Sequence, residues 1–454
     1  MWKGLHVYAK DNVTSLPNRP NILYIMTDQQ FAGAMSCAGN KYLRTPAMDS
    51  IAENGGLFEK AYCANPLCVP SRTVMMTGRM PHETGITYNV RAKLDSVLLP
   101  MMGTILSRAG YDCGYVGKWH IPNLRDQVEL HGFTTVQPTK FDNGIPPACA
   151  DFISRKRNKP FLIVASFVNP HDICGWPSAS VGGRNLRNGP IPEAPPADQC
   201  PPLPDNFEIP PCEPDIIRAM QKLAPRWYSI ASEWNGDKWR QYRWAYYRLV
   251  EKVDEQIGIL LDALRKSSQE DSTLIIFASD HGDGMGTHRW NQKMVLYEET
   301  TRVPFIVSFK GVTRPGYVDR DHLVSTGLDL IPTMCDYAGI KPPDALRGAS
   351  VRALAEGRKP KAWRDVIVAE TEFGHQFGQG DGVYGRMLRT ARYKYVVYSE
   401  GNLREQLTDM EQDPGEMVNL AASPKHKVIL EDHRRRLAAW CKETNDFFVV
   451  PKNG

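Results

Sequence analysis

The 454-residue sequence has ten cysteines but no Cys-x-x-Cys pair and no zinc-ribbon spacing. That excludes the common structural zinc modules and a thioredoxin-type redox motif. The cysteines stand at 37, 63, 68, 113, 149, 174, 200, 212, 335 and 441, and most read as free core thiols. Cys200 and Cys212 could pair only in an oxidising compartment. Long apolar runs are also missing. Phe161 to Val168 is among the longest and is far too short to span a bilayer, so no membrane span is expected. Charge of one sign is missing too: 55 basic against 51 acidic residues leave +4, which gives no reason to expect a nucleic-acid partner. Residues 1–19 carry Lys3, Lys10, Asp11, Asn12 and Pro17 with no apolar core, so they do not read as a secretory signal. The chain as given reads as cytoplasmic, or as periplasmic if a signal has been removed. Internal repeats are absent.

With 42% hydrophobic and 23% charged residues, the composition is that of a globular protein rather than a disordered or coiled-coil one. Short apolar runs alternate with helical patterns, which predicts an α/β fold on a mostly parallel sheet. Asn21–Thr27 reads as a buried strand, and Tyr111–Val116, Phe161–Phe167, Thr273–Ala278 and Val303–Phe309 read alike. Continuous apolarity is what a strand covered on both faces requires. The spacing of Leu249, Val253, Ile257, Leu260 and Leu264 predicts a helix over Trp239–Arg265. Residues 170–215 are crowded with proline, which excludes a helix or an inner strand and predicts a long loop, either a lid or a solvated excursion. Beyond about residue 365 the pattern becomes α+β. Val366–Ala369 and Tyr393–Tyr398 read as strands, and Val428–Cys441 as a closing helix. The organisation predicted is a tail over 1–19, a catalytic domain over 20–365 and a smaller subdomain over 366–454.

Open α/β sheets bind ligands beyond the carboxyl ends of their strands. Four predicted strands each end in charged or imidazole groups: Thr27-Asp28-Gln29-Gln30, Gly117-Lys118-Trp119-His120, Asn169-Pro170-His171-Asp172 and Ser279-Asp280-His281-Gly282. Any one alone would be an ordinary turn or cap. Four on one rim point to a site. Cys68 precedes Val69-Pro70-Ser71-Arg72, where Pro70 and Ser71 can start a helix and Gly78 can end it. A residue just before a helix N-terminus is a place for a thiolate or for an anionic substrate.

Cys68-Val69-Pro70-Ser71-Arg72, followed by Thr77-Gly78-Arg79, resembles the signature of type I sulfatases, and the strand-end groups resemble that family's sulfate site in order and context. The likeness extends from about Arg19 to the closing helix. It includes Glu405–Met410 and Asp413-Pro414-Gly415-Glu416, similar to the family's C-terminal segment. The resemblance implies an alkaline-phosphatase-like α/β fold and hydrolysis of a sulfate ester. It also implies conversion of Cys68 to formylglycine by a formylglycine-generating or anaerobic maturation enzyme. The aldehyde hydrate would supply the nucleophilic hydroxyl, and its second hydroxyl would expel the sulfate. Arg72 would hydrogen-bond the hydrate, and Asp280 would act as its base. Lys118 and Lys293 would neutralise sulfate oxygens, His120 would contact the hydrate and later help expel sulfate, and His171, alone or with Lys293, would protonate the leaving sugar with a pKa near neutral.

Asp28, Gln29, Asp280 and His281, with residue 68, would hold Ca²⁺, or Mg²⁺ in its place. This Asp-Gln and Asp-His version resembles bacterial carbohydrate sulfatases, including glycosaminoglycan 2-O-sulfatases. It points to a sulfated saccharide substrate. The Pro-rich 170–215 loop directly after His171 and the small subdomain, through His375 and Gln376, would wall a pocket from two directions, which favours action at an exposed end. Trp119, Asp172, Trp176, His288 and Trp290 flank the site, and His375 and Gln376 lie on a Gly-rich stretch, so these are the candidate sugar contacts. A phosphodiester or phosphonate monoester hydrolase of the same superfamily, and an inactive binding protein that keeps the Cys68 thiol, are the alternatives.

Overall fold

A computed structural model describes residues 19–89, 94, 99–122, 125–179, 186–223, 229–373 and 382–451. The main sheet contains β1 (Asn21–Asp28), β2 (Gly55–Phe58), β4 (Asp112–Gly117), β5 (Thr135–Gln137), β6 (Phe161–Pro170), β7 (Thr273–Ser279), β8 (Phe305–Ser308) and β9 (Tyr317–Asp319). Between β2 and β4 the chain forms β3 (Ala61–Tyr62), which pairs with β10 (Val324–Ser325) in a separate ribbon. The main order is β5-β4-β6-β1-β7-β8-β2-β9. β4, β6, β1 and β7 run parallel, and β8 is antiparallel to both neighbours.

The continuous apolar runs follow from two covered faces. Leu23 and Ile25 of β1 join Ile163, Ala165, Ile275 and Phe277 in one core. Ile22, Tyr24 and Met26 join Leu162, Val164, Leu274 and Ile276 in the other, as the two-residue repeat of a strand demands. Among the helices are α1 (Cys68–Thr77), α2 (Gly236–Lys266), α3 (Thr326–Tyr337) and α4 (Lys427–Thr444). The stripe Leu249, Val253, Ile257, Leu260 and Leu264 of α2 packs into the first core. Residues Val69, Met75 and Met76 of α1 pack with Leu330, Ile331 and Met334 of α3 in the second.

The C-terminal sheet is antiparallel, in the order β11 (Ile367–Phe373), β12 (Val383–Arg389), β13 (Tyr393–Tyr398), β14 (Glu405–Asp409). Ile367, Ala369, Met387 and Val396 face Trp290 and Leu296 of the larger unit. Val368, Leu388 and Val397 face Leu430, Leu437 and Cys441 of α4. A buried polar cluster ties the two units together. His82 Nδ1 lies 2.5 Å from Glu370 Oε1, and Arg386 holds Asp446 through contacts of 2.6 and 2.7 Å.

One expectation changes. The Pro-rich stretch is not wholly irregular, because it contains short helical turns at His171–Gly175, Trp176–Ala179 and Ala197–Gln199. A single turn tolerates proline in its first positions, where no intrahelical N–H bond is lost. Pro170 itself closes β6. Cys200 and Cys212 are both free thiols. Among the described residues no helix is long and apolar enough to cross a membrane.

Candidate active site

β4, β6, β1 and β7 are consecutive and parallel, so their carboxyl ends share one rim. β1 delivers Asp28 and Gln29, β4 is followed by Lys118 and His120, β6 by His171, and β7 by Asp280 and His281. Gly117 turns the chain at the end of β4 with φ 106°, and a Cβ there would lie 2.0 Å from Ser166 O. Only glycine fits that position.

α1 begins at Cys68 itself, with Leu67 as its N-cap, so the expected start at Pro70 moves two residues upstream. Pro70 occupies the first turn, where its missing N–H is not needed. Cys68 is 1% exposed. Its Sγ lies 3.1 Å from both Lys293 Nζ and His281 Nε2, and 3.9 Å from Asp28 Oδ1. His120 and His171 sit near enough to act on its charge as well. Burial pushes the thiol up, but Lys118, Lys293 and His281 together hold it well below the usual thiol range. The helix dipole acts in the same direction. Position 68 is therefore built to carry negative charge.

Arg72 lies one turn along α1 and is fully buried. Nε donates to Asp280 Oδ2 at 2.7 Å and Nη2 to Asp28 Oδ2 at 2.8 Å. Nη1 donates to Lys118 O and Ser166 Oγ, both at 2.8 Å. The sequence suggested a hydrogen bond from Arg72 to the group at position 68. In the structure its three nitrogens are committed to the two carboxylates and the neighbouring strands, where planar bidentate geometry favours arginine.

The ligating atoms of Asp28, Cys68, Asp280 and His281 all lie within 4.8 Å of one another. His281 Nδ1 lies 2.9 Å from Gly282 O. With the proton on Nδ1, Nε2 turns a lone pair toward the cluster. Gln29 Oε1 accepts from Lys293 Nζ at 2.8 Å, while Nε2 donates to Asp283 Oδ2 at 2.7 Å. Asp283 also takes the Tyr242 hydroxyl at 3.1 Å and the Met285 N–H at 2.9 Å. Burial and Cys68 push Asp28 up, yet Lys118, His171 and Arg72 hold it well below the carboxylate range. Burial and the charge of Asp28 raise Asp280. Two carboxylates, a carboxamide oxygen and an imidazole nitrogen make a donor set that fits a divalent cation.

A cleft of about 820 Å³ adjoins this cluster. Lys118, His120 and His171 line it, together with Arg125, Lys140 and Arg187. The expected sugar contacts are mostly elsewhere. Trp119 borders the cleft but is 7% exposed and packs edge-on against Tyr115, His131 and Phe133. Trp176 is buried against Trp234 and Tyr242. Trp290 is buried, its Nε1 donating to Lys293 O. His288 is buried 4.0 Å from the Tyr297 ring with Nε2 on Gly415 O, and burial pushes it down to about 4. The Asp172 carboxylate takes two hydrogen bonds from Asn188. These groups pack the ground beneath the rim, the position that residues next to buried site groups in sequence naturally take. His375 and Gln376 lie outside the described residues.

Sequence reading missed Asp283, Ser166, Tyr242 and the three cleft cations. Asp283 had a signal, three residues after Asp280 on the rim. Ser166 and Tyr242 look like core residues of β6 and α2.

Residues 20–340 match the family described as sulfatase, and residues 286–443 match the C-terminal region of N-sulphoglucosamine sulphohydrolase. A Delta 4,5-hexuronate-2-O-sulfatase of Bacteroides thetaiotaomicron is 32% identical over 451 residues, covering 94% of this chain and 90% of the relative. A putative sulfatase structure from the same species superposes with a TM-score of 0.82 at 31% identity, covering 96% of this chain and 95% of that one. A 2-O GAG sulfatase structure gives 0.81 at 30% identity, with the same coverage.

Proposed function

The chain belongs to the sulfatase family and is a sulfuric ester hydrolase, and on that premise we propose that it removes sulfate from the exposed end of a sulfated saccharide, with residue 68 as the nucleophile after oxidation to formylglycine. The relative that acts on a hexuronate 2-O-sulfate and the 2-O GAG sulfatase support the saccharide reading. The observation that carries the mechanism is the setting of Cys68, buried at a helix N-terminus with Lys293 and His281 each 3.1 Å from its sulfur.

Formylglycine at this position, installed by a formylglycine-generating or anaerobic maturation enzyme, would add water to give a hydrate with paired hydroxyls on one carbon, one to attack sulfur and one to expel the sulfate and restore the aldehyde. Asp28, Gln29, Asp280 and His281 would hold Ca²⁺, with Mg²⁺ the other hard cation suited to them. Held there, such an ion would supply positive charge for the sulfate oxygens and would lower the pKa of the hydroxyl at position 68.

Lys118 and Lys293 neutralise the sulfate oxygens as point charges. Asp280 takes the proton of the attacking hydroxyl, and His120 steadies that hydroxyl. Arg72 fixes both carboxylates. His171 gives its proton to the departing sugar oxygen, with one change from the sequence expectation. Its pKa is not near neutral, because burial, Lys118 and Lys293 push it down to about 3. A sulfate ester bound among those same lysines would offset their charge and raise the His171 pKa toward the range a proton donor needs. Residues 20–365 would carry this chemistry, and 366–454 would close the site from one side.

The deciding experiment pairs peptide mass spectrometry of residue 68 with turnover of defined sulfated mono- and disaccharides. Formylglycine content should scale with activity. Full activity from a sample carrying only unmodified Cys68 would refute the nucleophile, and equal turnover of a generic aryl sulfate would refute the saccharide assignment.

A further inference from the structure

We propose that the cleft beside the sulfate site binds a second anionic group of the sugar, a carboxylate or a further sulfate, through Arg125, Lys140 and Arg187. This rests on the sulfated-saccharide reading above and adds to it a substrate class, the acidic or multiply sulfated sugars.

Three separate segments each bring one cation to the same cleft. Arg125 follows β4, Lys140 follows β5 (Thr135–Gln137), and Arg187 belongs to the Pro-rich stretch after β6. Asp126 is the one acidic residue among the lining groups. It pairs with Arg125 at 3.2 Å, but the two side chains are 52% and 84% exposed, and exposed pairs of that kind hold each other only weakly, so a ligand anion can compete for Arg125. Lys118, which also lines the cleft, already pairs with Asp28. Arg125, Lys140 and Arg187 therefore face a shared hollow in which Asp126 is the one lining carboxylate, leaving positive charge in excess.

A neutral sugar bearing one sulfate does not account for them. Its single charge would be met by Lys293 beside Cys68, with the Lys118 that Asp28 shares in support. A concave wall focuses the field of its charges, and guanidinium forks match the planar carboxylate or the tetrahedral sulfate with paired hydrogen bonds. Trp119, Ile121 and Val168 supply apolar lining between the charged groups, the mixture that a sugar ring with polar corners requires.

The test uses mature enzyme and three substrates: a sulfated hexuronic acid, the same sugar with its carboxylate reduced to the alcohol, and a hexose bearing two sulfates. The reduced sugar should show kcat/KM at least ~10-fold below the hexuronate or the disulfate, and the better of those two identifies the anion. Arg125→Gln, Lys140→Met and Arg187→Gln should each lower kcat/KM on the preferred anionic substrate by a factor at least several-fold larger than on the reduced sugar. All three positions are exposed, so the variants should fold, which circular dichroism would check. Equal losses on charged and reduced sugars would overturn the proposal and leave only long-range steering. If the wild-type enzyme turned over no sulfated sugar at all, the functional reading would fall first and take this proposal with it.

Discussion

Lys293 Nζ lies 3.1 Å from Cys68 Sγ and 2.8 Å from Gln29 Oε1, so one ammonium joins the nucleophile position to an expected metal ligand. Nothing in the sequence separation of these residues announces the contact. Lys293→Met should lower kcat/KM on the order of 10²–10³-fold, with the larger part in kcat. A change confined to KM would place Lys293 in ground-state binding alone.

Cys68→Ala should abolish turnover, by at least ~10⁴-fold in kcat, while leaving a folded protein that still binds one divalent ion. Calorimetric titration with Ca²⁺ or Mg²⁺ would check the second half. Loss of folding together with activity would assign Cys68 a packing role instead.

Exhaustive chelation should stop turnover, and added Ca²⁺ or Mg²⁺ should restore it. Asp28→Asn should weaken metal binding and also release Arg72 and Lys118 from their partner. Breaking such a buried pair costs about 3–5 kcal/mol, readable as a lower melting temperature. Activity that survives chelation with no bound metal would rule out the ion.

Asp283 touches neither position 68 nor the cleft lining, yet it fixes the Gln29 amide through Nε2. Asp283→Asn offers an N–H₂ where Gln29 needs an acceptor, and should turn the carboxamide around. Metal affinity should fall roughly 10–100-fold, the usual effect of losing a ligand's supporting partner, and saturating metal should restore most of kcat. Unchanged affinity would make Asp283 a core residue only.

The His82–Glu370 contact should make stability depend on pH. Burial lowers the His82 pKa, but the Glu370 hydrogen bond and the charges of Glu370 and Asp446 outweigh it, and the net shift is upward from 6.5. The folded protein thus holds the proton more tightly than the unfolded chain. Its contribution is complete below about pH 6.5 and fades as pH rises through the folded-state pKa. Denaturation midpoints of wild type and His82→Gln, measured across pH 5.5–9, should converge at the alkaline end. A constant gap would refute the coupling.

The strands of the parallel core were legible because burial on both faces leaves runs such as Ile22–Met26 without a polar residue. The rim was legible for the converse reason. Asp28, Lys118, His171 and Asp280 interrupt those runs at one structural level. β2 escaped notice because Gly55 and Gly56 carry no side chain to show alternation. The sugar side was largely illegible, since closeness to a site residue in sequence does not say which way a side chain points. Trp176, His288 and Trp290 turn inward to the core, while Arg125, Lys140 and Arg187 reach the cleft from loops that resemble ordinary solvated surface.

Arg72 bonds to partners 44, 46, 94 and 208 residues away. Those partners sit on or directly after β1, β4, β6 and β7, so the guanidinium closes a ring around the middle of the sheet. During synthesis the ring cannot close until Asp280 has left the ribosome. Before then, burying Arg72 would strand a charge without its second carboxylate, at a cost of several kcal/mol. The amino end of α1 therefore stays open to solvent while more than half of the chain is being made, and it can seal once β7 has joined β1. Catalytic competence is in this sense a report on the docking of β7 beside β1, and recovered activity on refolding should trail recovered helix content.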